Sequence, residues 1–522
     1  MLNGREATLH FPYLSCLNFY MKKAVFLLVC FLIFKEGFTQ PSFIKDSLDK
    51  YITQGMKDWN IPGLAIAIIK NDSVIVMKGY GVRNIDTKEP VDENTLFMIA
   101  SNSKLFTGTA LAQLDYNKKL SLDDKIIKYF PWFRTGDSLT TQLVTIKDML
   151  GHHLGTKTFQ GDFTFWNTTL KRDSVMYKMR YVKPPLPFRA SYGYCNSCFL
   201  TAGQVLQKVT NKPWEVYVYD SIIEPLGMTS SHALGTGMIN MPGAATPYTT
   251  AFTGTLTELP YDNVDALAPA GSIVSCVKDL SHWIRMQLDS GRYNGKQILP
   301  WKVLQQTRGV NTLLSTQKNS TGGHFVAYGL GVFIRDMNGR QVYDHTGGAD
   351  GFVTNVCFVP EEKLGITILT NNDNQEFFEL LRYQILSAYL NMPYTNLSKA
   401  ELPDFISGSK KIANSIYALH QRVKGNKPQL PLKNYTGIYH NELFGNIYLN
   451  TKGNDLQMSF DNHKGLTASL QYMDNGEWLL SYNSIAYGIF PLRFVIKNNQ
   501  VVSTDVKVND FLEYDPYTFV KQ

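Results

Sequence analysis

From about Leu430 onward the chain is a run of short strand candidates with no helix among them. They are Gly437 to His440, Gly445 to Leu449, Leu456 to Phe460, Leu466 to Tyr472, Trp478 to Tyr482, Arg493 to Lys497 and Val501 to Val508, separated by Asn, Gly and Asp turn residues. Short segments at this spacing bury little singly. Paired in sequence they make a small antiparallel barrel, which is the expectation for residues 430–522. A chain of 522 residues, 44% hydrophobic and 13% aromatic, exceeds one ordinary domain and has apolar material for more than one core.

The segment before the barrel alternates helices and strands. Leu64 through Ile69 is an apolar strand turned by Asn71-Asp72 into Ser73 to Met77, a hairpin. Leu105, Ala110, Leu111 and Leu114 recur at helical spacing within Ser103 to Leu114, where Gly108 permits close packing on a neighbour. Further helices are predicted from Thr145 to Leu150, Leu200 to Val209 and Asp279 to Leu288. Gly329 to Ile334, Gln341 to Asp344, Phe352 to Val359 and Gly365 to Thr370 read as antiparallel strands, with His345 closing the second. The fold class is α+β: an antiparallel sheet flanked by helices, plus the C-terminal barrel. Residues 40–395 are read as the first of these domains and 396–429 as a polar linker with one helix, Lys410 to Val423.

Residues 1–39 read differently. Met21-Lys22-Lys23, the apolar run from Ala24 to Phe34 and a polar exit make a secretory leader, with cleavage expected near Thr39/Gln40 and an upstream extension before Met21. The run is short for a bilayer span, so a retained anchor is the alternative. The destination implied is a periplasm or the medium. The formal charge of +7 falls to about +5 without this segment, and no basic stripe interleaves with aromatics, which excludes nucleic acid as a partner. Cys195, Cys198, Cys276 and Cys357 are too few for a disulfide scaffold. Cys195 and Cys198 have redox C-x-x-C spacing, but no thioredoxin-like pattern surrounds them; an oxidised pair is the other reading.

Three elements follow one another in an order that carries chemistry: Ser101-Asn102-Ser103-Lys104, Tyr194-Cys195-Asn196 and His345-Thr346-Gly347. Ser-x-x-Lys alone says little, since it also starts at Ser42, Ser47, Ser275, Ser315 and Ser407. A serine hydroxyl needs a base and a receptor for the oxyanion formed on attack. Residues three apart share a helix face, so Lys104 can reach the Ser101 hydroxyl. Burial and a helix N-terminus both disfavour an ammonium there, which predicts a depressed pKa.

The three elements together resemble those of the serine β-lactamase-related and penicillin-binding-protein-like hydrolases, nearest the class C and CubicO-type branches. Phe97 to Lys104 resembles their nucleophile segment, Thr145 to Gly155 the following helix and turn, and Tyr194 to Gly203 with Pro225 to Thr229 the second-motif region. His345 to Gly351 resembles the third motif and its glycine-rich exit, and the likeness spans roughly Phe43 to Asn391. The resemblance implies a β-lactamase/transpeptidase-like fold, Ser101 as acylated nucleophile, Lys104 as partner base and Tyr194 as a second proton carrier. It implies that Asn196 orients substrate and Lys104, that His345, Thr346 and Gly347 border the substrate, and that the backbone NH groups of Ser101 and Gly348 form the oxyanion hole. The barrel, opening with Tyr435-Thr436-Gly437-Ile438-Tyr439, resembles the lipocalin-like domain appended to many such hydrolases.

Two departures matter. His345 stands where β-lactamases usually carry lysine, so a permanent cation for a substrate carboxylate is missing. Leu154 replaces serine in a turn related to His-x-Ser-Gly, and the neighbouring His152 and His153 are expected to be structural rather than metal ligands. The expected protein is an exported serine hydrolase, free of cofactor and metal, acting on a small ester, amide or short peptide, D-amino-acid peptides included. The alternatives are a β-lactamase or penicillin-binding carboxypeptidase, an acyl transferase, or a non-catalytic acylatable sensor. No stable membrane span is expected after leader removal, and a homo-oligomer is open.

Overall fold

A computed structural model describes residues 40–318 and 323–522. The upstream extension and leader assigned to 1–39 lie outside the described residues. Tyr51–Gln522 forms one compact unit; of the other, Met1–Lys50, the described part carries the helical turn Phe43–Ser47.

An eight-stranded sheet organises the first part. Its strands are β1 (Gly63–Lys70), β2 (Ser73–Gly81), β3 (Thr312–Ser315), β4 (Val326–Tyr328), β5 (Phe333–Met337), β6 (Arg340–Ala349), β7 (Phe352–Val359) and β8 (Leu364–Thr370), in the order β2-β1-β8-β7-β6-β5-β4-β3. Neighbouring pairs are antiparallel. The central strands β7 and β8 are buried along their whole length, so they read as continuous apolar runs rather than alternating ones. Asn71 and Asp72 take φ of 52° and 63°, the left-handed pair that a two-residue hairpin between β1 and β2 requires.

The helices that matter here are α1 (Ser103–Tyr116), α2 (Ile146–Leu150), α3 (Asp162–Phe165), α4 (Asn196–Thr210), α5 (Val277–Leu288), α6 (Phe377–Tyr389) and α7 (Leu397–Gln421). Thr145 and Asp148 exchange side-chain and backbone hydrogen bonds in a capping box that starts α2. On α1 a Cβ at Gly108 would lie 1.9 Å from the Leu330 carbonyl oxygen, so glycine is what lets this helix meet the β4–β5 connection.

Three boundaries differ from the sequence reading. Gly329 to Ile334 is not one strand: Gly331, at φ +85°, turns the chain between β4 and β5, and a Cβ there would meet the Lys104 carbonyl oxygen. His345 lies inside β6 rather than at its end, because pairing with β7 continues to Ala349 opposite Phe352. The linker helix begins not at Lys410 but at Leu397, where the Asn396 side chain caps the Lys399 amide, and it runs through Pro403 to Gln421.

The C-terminal barrel closes with eight strands: β9 (Gly437–Asn441), β10 (Gly445–Lys452), β11 (Asp455–Phe460), β12 (Thr467–Tyr472), β13 (Glu477–Tyr482), β14 (Ile489–Lys497), β15 (Gln500–Val506) and β16 (Tyr517–Lys521). The eighth strand, β16, pairs with both β9 and β15 and removes the open edge that seven would leave. Its interior is aromatic, with Trp478, Tyr439 and Phe494 in contact. Phe163 of α3 plugs into this core against Phe444, Phe460 and Tyr517. The barrel is thus fastened beside the helical segment that precedes α4.

Candidate active site

Ser101 sits in a short 3-10 turn, Ala100–Asn102, directly before α1. Ala100 has φ +47°, an uncommon backbone for a residue with a side chain, and the turn is riveted from several sides. Asn102 Nδ2 donates to Thr354 Oγ1 at 2.9 Å, and Thr354 Oγ1 donates to the Ile99 carbonyl at 3.0 Å. A Cβ at Gly347 would stand 2.0 Å from that same Ile99 oxygen, so β6 approaches the nucleophile turn as closely as backbone allows.

One helical turn on, Lys104 is fully buried. Its Nζ lies 3.1 Å from Ser101 Oγ, 2.7 Å from Asn196 Oδ1 and 2.8 Å from the Ala270 carbonyl. Burial pushes its pKa down to about 7, while the nearby Asp162 carboxylate pulls upward. An amine with that pKa is partly unprotonated at neutral pH and can take a proton from the serine.

The α4 N-terminus supplies the second group. Tyr194 is buried beside Ser101 on the cavity wall, and burial raises its pKa far above the ordinary phenol value, with the Ser101 side chain opposing the rise. It therefore rests as a phenol that can donate a hydrogen bond into the cavity. Its ring stacks on His152, centroids 4.4 Å apart, and His152 Nδ1 accepts the Cys195 amide at 2.9 Å. Burial drives the His152 pKa well down, leaving a neutral ring that wedges Tyr194 in place. His153 Nε2 is 2.8 Å from Thr312 Oγ1. Among the described residues no group of three or more His, Cys, Asp or Glu could hold a metal ion. Cys195 and Cys198 are both free and buried.

Asn196 links Lys104 to an acid that the sequence reading did not select. Its Oδ1 accepts from Lys104 and its Nδ2 donates to Asp162 Oδ2 at 2.6 Å. Asp162 begins α3, and burial raises its pKa well above the usual carboxylate range. Only the Gly161 turn before it, at φ +102°, marks the spot locally.

His345 is buried with both ring nitrogens engaged. Nδ1 is 2.6 Å from the Thr346 carbonyl oxygen, which can only accept, so Nδ1 carries the hydrogen. Nε2 then accepts from the Tyr328 hydroxyl at 2.9 Å. Burial, then the charge of Lys104, holds its pKa down to about 3. The imidazole is neutral at physiological pH and has no spare donor.

Ser101, Tyr194, Asn196, His345, Thr346, Gly347 and Gly348 border one cavity of about 340 Å³, with Lys104 beneath it. Asp162 lines it too, and so do Phe511 and Leu512 from the loop between β15 and β16 of the barrel. That loop is pinned where it crosses: the Glu513 carboxylate accepts the Gly161 and Phe163 amides at 3.0 and 2.9 Å and the Tyr517 hydroxyl at 2.8 Å.

The beta-lactamase family model matches residues 48–390. The chain belongs to the beta-lactamase family. Protein flp of Staphylococcus aureus (strain N315) is 27% identical over 348 residues, 65% of this chain and 65% of that one, so the chain spans about two thirds of the length of this relative. Unguisins hydrolase ungD of Aspergillus violaceofuscus is 23% identical over 441 residues, 77% of this chain and 76% of the relative. Among solved structures, the octameric penicillin-binding protein homologue from Pyrococcus abyssi shares the fold at a TM-score of 0.59, with 20% identity, covering 91% of this chain and 99% of that one.

In this beta-lactamase-family chain, the family match stops before α7 and the barrel, yet the barrel loop supplies part of the cavity wall. No helix among the described residues is long and apolar enough to cross a membrane. Sequence reasoning did not select Asp162 and Phe511 on the cavity wall, nor Tyr328 behind His345. Each gains its meaning from a partner far away in the chain.

Proposed function

We propose that the protein is a serine hydrolase that forms an acyl-enzyme on Ser101 and releases it to water, acting on small esters and short peptides, D-amino-acid peptides among them. The observation that carries this reading is the buried Lys104 amine, 3.1 Å from the Ser101 hydroxyl and with its pKa pushed down to about 7. In this reading Lys104 Nζ takes the Ser101 proton as Oγ attacks the substrate carbonyl carbon. General-base help of this kind is worth roughly 10² to 10⁴ in rate. The oxyanion is held by the backbone NH groups of Ser101 and Gly348, each donor contributing about 10² to 10³. As the tetrahedral intermediate collapses, the Tyr194 phenol protonates the leaving oxygen or nitrogen and is recharged from the Lys104 ammonium. Water then repeats the attack on the acyl-enzyme with Lys104 again as base.

The neutral, doubly hydrogen-bonded His345 disfavours substrates that need a cation on β6, and for this reason we place ester and peptide cleavage ahead of β-lactam turnover. Asn196, with its amide turned to Lys104 and Asp162, acts in this reading mainly on the base rather than on the substrate. The leader-like segment from Met21 to about Thr39 makes export part of the proposal.

Intact-mass analysis after treatment with a fluorophosphonate and with an activated ester tests the proposal. One adduct per chain is expected, absent in Ser101→Ala, persistent with the fluorophosphonate and transient with the ester. A stable ester adduct would convert the reading to an acylatable sensor, and no adduct at all would end it.

A further inference from the structure

A second cavity of about 390 Å³ lies behind the active-site cavity. It is walled by the Thr249–Phe252 segment, by one face of α7 and by the barrel at Ile489–Pro491. Most of its named side chains are apolar, including Phe252, Ile412, Ile416, Leu419 and Phe490. Among the described residues, Phe511 alone lines both cavities.

The loop that carries Phe511 is held by hydrogen bonds in which its ring takes no part. Asn509 Oδ1 accepts the Phe511 amide at 3.2 Å, the Asn509 carbonyl accepts the Leu512 amide at 2.9 Å, and Glu513 ties the next residue to Gly161 and Phe163. The Phe511 ring stands over Gly348, where a Cβ would come within 2.6 Å of its Cζ. Phe511 is 43% exposed. Because these hydrogen bonds do not use the ring, substituting Phe511 removes the wall between the cavities and leaves the bonds of the loop in place.

We propose that Phe511 is a specificity-determining residue that divides the substrate site, and that the cavity behind it is a subsite for the apolar acyl chain of an ester. The inference rests on the Ser101 acyl-enzyme reading. With the ring in place, a short acyl group fills the first cavity; with the ring gone, the chain runs past Gly348 and buries its methylenes against α7 and Phe490. One methylene in an apolar pocket is worth about 10- to 200-fold in discrimination.

The test is kcat/KM for p-nitrophenyl acetate, butyrate, octanoate and decanoate on the full chain. In Phe511→Ala the octanoate-to-acetate ratio is expected to rise about tenfold or more over the unaltered protein, and in Phe511→Trp it is expected to fall. Ala251→Phe fills the second cavity from its wall and, added to Phe511→Ala, is expected to cancel the gain. An unchanged ratio in both Phe511 variants overturns the dividing role, and a gain that survives Ala251→Phe overturns the subsite. Fluorophosphonate labelling of Ser101 is run alongside. Labelling without a chain-length effect rejects this inference alone, while absent labelling rejects the underlying hydrolase reading. Phe511→Leu, read the same way, decides the matter if the alanine variant does not fold.

Discussion

Replacing Asp162 by asparagine keeps an oxygen acceptor for the Asn196 amide but removes a charge two hydrogen bonds from Lys104. In the folded protein burial lowers the Lys104 pKa and Asp162 opposes that drop, so the substitution lets the pKa fall further. Across one amide and two hydrogen bonds, roughly 7 Å, unit charges attract by about 2 kcal/mol at an effective dielectric of about 20, or about 1 to 2 pKa units. Burial raises the Asp162 carboxyl itself, so this is the full effect, reached where Asp162 is ionised. In the proposed mechanism Lys104 works as the free amine, so kcat/KM for a short ester is expected to rise with pH through a midpoint at about 7. In Asp162→Asn that midpoint moves to lower pH by about 1 to 2 units. The assay is a pH profile of kcat/KM from pH 4 to 9 with thermal unfolding recorded in parallel, since Asp162 also begins α3. An unmoved or higher midpoint in a folded variant would refute the argument, showing that Asp162 carries no charge where Lys104 titrates.

Behind His345, Asp344 and Arg382 are each 1% exposed and paired at 2.9 Å, with Arg335 on the other carboxylate oxygen at 2.8 Å. Asp344→Ala leaves the buried Arg382 guanidinium with only the Glu379 carboxylate, at 3.5 Å, and is expected to cost roughly 3–5 kcal/mol in urea unfolding; a loss below about 1 kcal/mol would show that the cluster does not hold β6 to α6. Glu513 is pushed by burial from an ordinary 4.5 to about 7. A folded pKa above the unfolded one means a contribution complete below pH about 4.5 and lost as pH rises through 7, so the unaltered protein should lose up to about 3 kcal/mol relative to Glu513→Gln across that window. Paired melting curves from pH 4 to 8 measure this, and a flat difference would count against it.

Much of the architecture was legible because it is written in short periods. The strands around Leu64, Phe352 and Leu364 and the helices from Ser103 and Val277 show as runs or faces of apolar residues, and each forms near its expected place. Seven of the barrel strands carry their own turn residues; β16 does not, because Asn509 to Pro516 runs as an irregular loop before it. The boundaries that moved did so where distant contacts overrule local pattern, as at Gly331 under Lys104 and at Ala349 opposite Phe352.

The sequence by itself determined which groups could do chemistry and set the pair that lies one helical turn apart, Ser101 and Lys104. That pair is local, so spacing alone brings amine to hydroxyl. Only the tertiary structure decided that Asn196 bridges Lys104 to Asp162, that burial and the Lys104 charge leave His345 neutral while Tyr328 and the Thr346 carbonyl occupy its ring nitrogens, and that Phe511 of the barrel closes one side of the cavity. The physical reason is that burial and long-range closure, not residue type, set which polar atoms find partners and which charges survive, and neither leaves a periodic trace in the chain.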